Sequence, residues 1–457
     1  MRVPKEFIKN AEEKAFSAKH RETLRFNISK YDAKVIEGKN QFLSLEKARK
    51  LAKNTKWYAI NQLPRLLEEF EKQFTARGGK VIWAEDAEDA LRAVGDILEK
   101  HRAKTVVKSK SMITEEIELN HFLEEAGIEV LETDLGEYIV QLREEPPYHI
   151  VTPAMHLTKE EIATLFHEQF QTPLDATPEQ LTLFVRKLLR EKFEQADIGI
   201  TGVNFLVAQT GSVAITENEG NARLATTFPK VHIAISGIEK VLPSIKHLEL
   251  FWPLLSTFGT GQQVTVYNTL LNGPRQADET DGPEEMYVIL LDNGRTLILE
   301  DEVQRESLYC IRCGSCLNAC PVYRTIGGHS YDSAYGGPIG SVIMPNLTNF
   351  EDYTHLSHAS SLCGACTENC PVNIDLHHLL VHNRRTEVEL GLSTRGEGLT
   401  WSVWKGAMLH RGRMNTPRAI KNLFVSMFFK KTWGSRRAFP KFPAQTFNQL
   451  WKRNKVK

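Results

Sequence analysis

The sequence predicts an α/β domain, then a small α-helical domain, then a basic helical tail. Three observations carry this order. Between residues 80 and 131, short β-rich runs alternate with stretches of helical period, the pattern of parallel strands joined by crossover helices. All seven cysteines fall between Cys310 and Cys370. Residues 401–457 hold 14 Lys and Arg and no Asp or Glu.

The elements follow in chain order. Residues 1–60 are mixed and charged, with helices expected over 4–19 and 44–53. Leu63, Leu66, Leu67, Phe70 and Phe74 share one helix face, and Gly78-Gly79 supply its stop. Residues 80–84 read as a buried strand. Asp86 can cap a helix whose apolar face is Leu91, Val94, Ile97 and Leu98. Strands at 105–107 and 128–131 flank a helix over 114–126, and two further helices are expected over 158–170 and 178–195. Short β-rich runs then recur at 198–202, 206–208, 213–216, 232–236, 264–267 and 286–291, with a Gly/Pro/Asp-rich loop over 272–284. A helix near 299–308 leads into Cys310. These patterns divide the chain into a helical segment over 1–60, the α/β domain over 60–300, a cysteine domain over 301–390 and the tail over 391–457.

With 457 residues the chain can bury a sizeable core. The net charge is zero, but the tail's excess leaves residues 1–400 with 14 more acidic than basic groups. No stretch approaches the ~20 consecutive apolar residues of a membrane span. The charged start, Met1-Arg-Val-Pro-Lys-Glu, lacks a signal-peptide core. An odd cysteine count at metal-ligand spacing points to a reducing cytoplasm.

The cysteines form two runs. The first is Cys310-x2-Cys313-x2-Cys316-x3-Cys320-Pro321, the complete ferredoxin-type signature for iron–sulfur clusters. The second, Ser360-x2-Cys363-x2-Cys366-x3-Cys370-Pro371, has serine at its first position. Zinc knuckles use Cys-x2-Cys pairs, but rarely three cysteines at this spacing followed by Cys-Pro, so iron–sulfur chemistry is the reading. In two-cluster ferredoxins the fourth cysteine ligates the other cluster. Applied here, cluster 1 takes Cys310, Cys313, Cys316 and Cys370, and cluster 2 takes Cys320, Cys363 and Cys366. Both are expected as [4Fe-4S], with cluster 2 open to a [3Fe-4S] form or to a non-cysteine fourth ligand. Ser360 is one candidate for that ligand; a serine in a turn with no metal contact is the other reading. The region is therefore expected to be an α-helical two-cluster ferredoxin-like domain.

Two nearby clusters make a one-electron relay, and no two-electron cofactor site accompanies them. Gly259-Thr-Gly261-Gln-Gln-Val264 lacks the third glycine of a dinucleotide fingerprint and precedes an expected strand. A flavin would have to sit on another subunit. The polar loop Thr216–Asn221, with Glu217 and Glu219, lies where α/β domains place ligands, and a solvated turn is the competing reading. Lys108-Ser-Lys-Ser111 reads as a solvated loop able to meet an anion. His329 reads as a hydrogen-bonded loop histidine, and His377, His378 and His382 as a polar helix face. Gly336–Gly340 reads as a structural turn. In the tail the basic residues mix with Trp401, Trp404, Phe424, Phe428, Phe429, Trp433, Phe439 and Trp451. No nucleic-acid-binding signature accompanies them, which leaves a membrane surface, or docking on an acidic partner or on the chain's own acidic body.

Six segments together carry a family resemblance. They are Val107–Glu116, Glu132–Tyr138, Thr201–Phe205, Thr216–Asn221, Ile311–Cys316 and Gly327–Tyr331, and Ser360–Cys366 matches as well. Over nearly its whole length the chain resembles the iron–sulfur subunits of the three-component bacterial L-lactate oxidation system. Ser360 in place of a cysteine fits that family's own pattern. The resemblance implies an α/β domain similar to the sugar-isomerase/CoA-transferase-like superfamily, two clusters, and two sister subunits. It also implies a role in passing on electrons released as L-lactate becomes pyruvate, so the chain is expected to be an electron-transfer component rather than an enzyme acting on substrate alone. The expected location is cytoplasmic, peripheral at the inner membrane face if the tail meets lipid. The alternatives are a glycolate-type oxidase subunit, or an α/β ligand-binding or transferase domain with structural or sensory clusters.

Overall fold

The computed structural model describes residues 3–393, 395–433 and 438–454. Met1–Thr386 form one compact unit and Glu387–Lys457 a second.

Ten strands lie in the first unit: β1 (Lys80–Ala84), β2 (Thr105–Lys108), β3 (Glu129–Glu132), β4 (Ile198–Gly202), β5 (Phe205–Val207), β6 (Ser212–Glu217), β7 (Val231–Gly237), β8 (Val241–Leu242), β9 (Tyr267–Leu271) and β10 (Glu285–Leu291). Six of them make a sheet in the order β1-β10-β7-β4-β2-β3, with every neighbouring pair parallel. The central strand β7 is buried along its whole length, as expected for a parallel sheet covered on both faces. One face takes Val94, Ile97 and Leu98 of the helix Ala87–His101, whose N-terminus is capped by Asp86 accepting from the Asp89 amide at 2.9 Å. The other face takes Leu66, Leu67, Phe70 and Phe74 of the helix Leu63–Thr75. A smaller sheet, β8-β5-β6-β9, pairs β6 antiparallel with both β5 and β9.

Several expected elements shift, each for a local reason. The helix over 114–126 is two, Met112–Glu116 and Leu119–Glu125, because Glu118 adopts φ +53° between them. The strand expected over 264–267 begins only at Tyr267, because Asn268 and Thr265 bond to each other in a turn before it. The helix into Cys310 is broken: Asp301 accepts from the amides of Val303 and Gln304 and starts a separate 3₁₀ turn, Gln304–Tyr309. Gly336–Gly340 is the start of a helix, Gly337–Leu347, rather than a free turn. The helix Leu248–Thr260 contains Pro253, which masked it in sequence.

A helix over Asn221–Thr227 packs directly on β4, and Gly199 makes this possible. A Cβ there would lie 1.8 Å from the carbonyl oxygen of Ala225. The start of this short helix therefore stands beside the C-terminal ends of β2 and β4.

The segment after β10 is tied to the sheet by a buried ionic knot. Arg295 donates to both oxygens of Glu116 at 2.8 Å and to Glu239 Oε2 at 2.6 Å. Asn293 and Tyr335 each complete Glu116 at 2.7 Å.

Candidate metal centre

The two cysteine runs fold alike, residue for residue. Arg312 and Leu362, one residue before the second cysteine position, have φ +59° and +52°. Gly314 and Gly364, one residue after it, have φ +75° and +80°. Short helices follow, Ser315–Ala319 and Ala365–Glu368. A left-handed residue on each side of a cysteine turns successive side chains toward one point, and glycine carries one of the two without strain.

The serine position obeys the same geometry. The Arg312 amide donates to Cys310 Sγ at 3.4 Å, and the Leu362 amide donates to Ser360 Oγ at 3.1 Å. Ser360 thus stands in its run as Cys310 stands in the first, with oxygen in place of sulfur. The two runs are stitched together by Ser315 Oγ donating to the Asn369 carbonyl at 3.2 Å. Arg49, from the helix Leu45–Asn61, binds the carbonyls of Cys370 at 2.9 Å and Glu368 at 2.8 Å.

The thiols differ in what surrounds them. Burial raises the pKa of Cys313 and Cys316, and the neighbouring charges of Cys310 and Cys370 raise it further. Cys370 is pushed up to about 12 by burial, partly offset by the Ile374 amide, which donates to its Sγ at 3.3 Å. Cys366 reaches about 11 through burial and then the charge of Cys320. Cys320 is raised by burial and, more weakly, by Cys363. Cys363 is exposed, and the Ala365 amide and Ser361 pull its pKa down. Two clusters of soft sulfur donors with amides aimed at sulfur fit iron–sulfur groups, which take deprotonated thiolates and displace those protons on binding.

Other expected positions resolve as follows. His329 is a hydrogen-bonded loop histidine, 2.8 Å from the Pro146 carbonyl. His377 and His382 pair with Thr367 and Asp301, both at 2.8 Å, on a helix that buries Leu376, Leu379 and Leu380. Glu217 caps the helix Asn221–Thr227, accepting from the amides of Ala222 at 2.7 Å and Arg223 at 2.8 Å. Lys108 is the clearest correction. It is not in a solvated loop but fully buried, 2.7 Å from Glu132 and 3.0 Å from Glu115. Two residues that the sequence does not single out also matter. Arg312 lies inside a Cys-x2-Cys spacer, which could have marked it; nothing in the sequence marks Lys240.

A cavity of about 630 Å³ opens at the C-terminal ends of the parallel strands. Ser109, Lys110 and Ser111 line it after β2, Glu217 and Asn221 beyond β6, and Glu239 and Lys240 after β7. Its far wall belongs to the cysteine segment: Arg312, Cys313 and Tyr335. At the rim Glu219 is raised to about 7 by loss of water and by the neighbouring Asp134 carboxylate.

In the second unit Trp401, Trp404, Phe424 and Trp451 are exposed. The side chains of Phe428, Phe429 and Trp433 lie outside the described residues. Among the described residues no helix is long and apolar enough to cross a membrane.

Residues 67–291 match the LUD domain family and residues 306–374 the 4Fe-4S dicluster domain family. Lactate utilization protein B of Bacillus pumilus is 49% identical over 75% of this chain and 72% of its own length. An uncharacterized electron transport protein of Escherichia coli is 45% identical over 80% and 77%. Lactate utilization protein B 2 of Bacillus mycoides is 43% identical over 90% and 89%. A crystal structure of a DUF162 family protein from Deinococcus radiodurans covers 50% of this chain and 98% of its own, at 13% identity and a TM-score of 0.28, too low to bear on the fold. With relatives this similar over most of both chains, the chain belongs to the lactate utilization protein B family.

Proposed function

We propose that the protein is the iron–sulfur electron-transfer subunit in the oxidation of L-lactate to pyruvate, working with two sister subunits. The observation that carries this reading is the matched backbone of the two cysteine runs, in a chain whose relatives are named for lactate utilization. The ligand assignment we adopt is Cys310, Cys313, Cys316 and Cys370 for the first cluster, and Cys320, Cys363 and Cys366 for the second. When bound, such clusters supply one-electron oxidation and reduction. The chain's own residues set the direction of access. Cys363 is exposed, so the second site can meet a partner at the surface; Cys313, Cys316 and Cys370 are buried, so the first site is reached through the protein.

The test is anaerobic. Purified, reconstituted protein mixed with L-lactate and the two sister subunits should show bleaching of its cluster absorption, and no bleaching without them. Reduction by glycolate and not lactate would move the assignment to a different 2-hydroxy-acid oxidase.

The tail supports a further part of the proposal, contact with an anionic membrane surface. Fourteen cations without an acidic residue, interleaved with exposed tryptophans, suit such a surface. Anionic lipid vesicles should co-sediment with the full chain and not with a chain ending at residue 400; equal sedimentation of the two would remove the tail from this role.

A further inference from the structure

The cavity at the strand ends reaches Cys313, and its wall carries two cations that the fold partners only in part. Arg312 is 11% exposed, and its Nε and Nη1 are buried with no hydrogen-bond partner. Its Nη2 makes a long ion pair with Glu239 Oε1 at 3.7 Å, and its Cζ lies 4.4 Å from the centroid of the Tyr335 ring. Lys240 makes no hydrogen bond or ion pair among the described residues, and burial draws its ammonium down to about 8. The nearest carboxylate, Glu239, leaves its Oε1 without a hydrogen bond and offers Arg312 only that long ion pair. Glu116 and Glu239 both serve Arg295, which holds them at 2.6–2.8 Å.

Two neighbouring cations that share one long ion pair at low dielectric repel each other and lose part of their hydration. Such an arrangement is costly unless a negative group completes it. Both lie near Cys310, and both line the cavity. Its volume is in the range of roughly 300–1,000 Å³ that organic ligands occupy, and far above what a bare inorganic ion fills. Apolar side chains, among them Ile139, Ile150 and Leu255, line the rest. Cys313 stands in the same wall.

We propose that this cavity binds an organic anion, its carboxylate or phosphate group held by Arg312 and Lys240 against the Cys313 side of the first cluster. A ligand placed there is in contact with a cluster ligand, so binding is felt by the cluster. The inference rests on the cluster assignment above, but not on lactate as the electron source.

The test uses the anaerobically reconstituted full chain and equilibrium dialysis. The probes are L-lactate and pyruvate as small carboxylates, and flavin mononucleotide as a phosphorylated cofactor, with inorganic phosphate and sulfate as controls. At least one organic probe should bind saturably at one site and shift the electron paramagnetic spectrum of the reduced first cluster. Which arm binds identifies the source of the anionic group. Lys240→Met, with iron content and the unliganded spectrum retained, should weaken that binding at least tenfold, and Arg312→Lys should weaken it while keeping the charge. Three results would each overturn the proposal: no saturable binding of any organic probe, binding of the inorganic controls alone, or equal binding in both variants. Because dialysis involves no sister subunit, its failure is separable from failure of the lactate-reduction test.

Discussion

Cys320→Ser removes the second cluster and leaves the first, although Cys320 belongs to the first cysteine run. The chain leaves the helix Ser315–Ala319 in extended conformation at Cys320, and Pro321 holds the turn away from the run. The thiol charges that Cys320 exchanges influence with are those of Cys363 and Cys366, in the second run that Ser360 begins. Iron and sulfide analysis should fall to the content of one cluster, and the surviving spectrum should be that of the cluster lost in Cys313→Ser. Retention of the second cluster with loss of the first would refute the crossed assignment. The same site gives the companion result. Ser360 Oγ takes the amide bond that Cys310 Sγ takes in the other run, so Ser360→Cys should complete a four-cysteine set without moving the backbone. A three-iron paramagnetic signal in the oxidised protein should be abolished by that change. Its absence from the unaltered protein would assign four irons with a non-cysteine ligand.

Arg295→Met should destabilise the protein by about 3–5 kcal/mol, the cost of stripping a buried cation from its buried anions. Arg295 is 1% exposed, and its loss strands Glu116 and Glu239 together, with Tyr335 and Asn293 still aimed at Glu116. Thermal or denaturant unfolding measures the effect; a loss below about 1 kcal/mol would contradict it. The pH dependence follows. Burial alone would raise both carboxyls, and Arg295 outweighs it, holding Glu116 below the ordinary range and Glu239 at about 2. A carboxyl depressed in the folded state contributes stability that is complete above its unfolded pKa of about 4.5 and is lost as pH falls toward the folded value. In Arg295→Met the largest opposition to burial is gone, and both carboxyls should titrate upward, although Asn293 and Tyr335 still bond Glu116 and Lys240, Arg312 and Lys56 still act on Glu239. The variant's deficit should therefore be largest near pH 7 and shrink toward pH 4, because protonation relieves the stranded charges. A deficit constant across that range would indicate lost packing rather than lost charge.

The elements with strong periodicity are legible in the order of residues alone. Leu63 to Phe74 on one helix face, the capping Asp86, and the apolar runs of β7 and β10 occupy the places their patterns require, whereas β1, expected as a buried strand, is a sheet edge with Lys80 and Trp83 exposed and only Ala84 buried. The elements that no pattern announces depend on contacts from elsewhere. The helix Leu135–Leu142 starts where Asp134 accepts from the amides of Gly136 and Glu137, and Asn221–Thr227 exists because Glu217 caps it and Gly199 admits it. Both are short, and short helices are held by their partners more than by their own period.

Of the site, sequence alone determined the donor chemistry. Seven cysteines at x2-x2-x3 spacing with proline after each run are a covalent property of the chain, and the spacing sets which thiols a turning backbone can aim together. What only the tertiary structure decided is what those thiols stand beside. Lys240 and Arg312 are 72 residues apart, and neither belongs to a local motif with the other. They meet because Lys240 follows the C-terminal end of β7 and the cysteine segment folds across that end, near the knot of Glu116, Arg295 and Glu239. Burial and charge act through space, so the cavity and its partly paired cations arise only when residues distant in the chain share one low-dielectric wall.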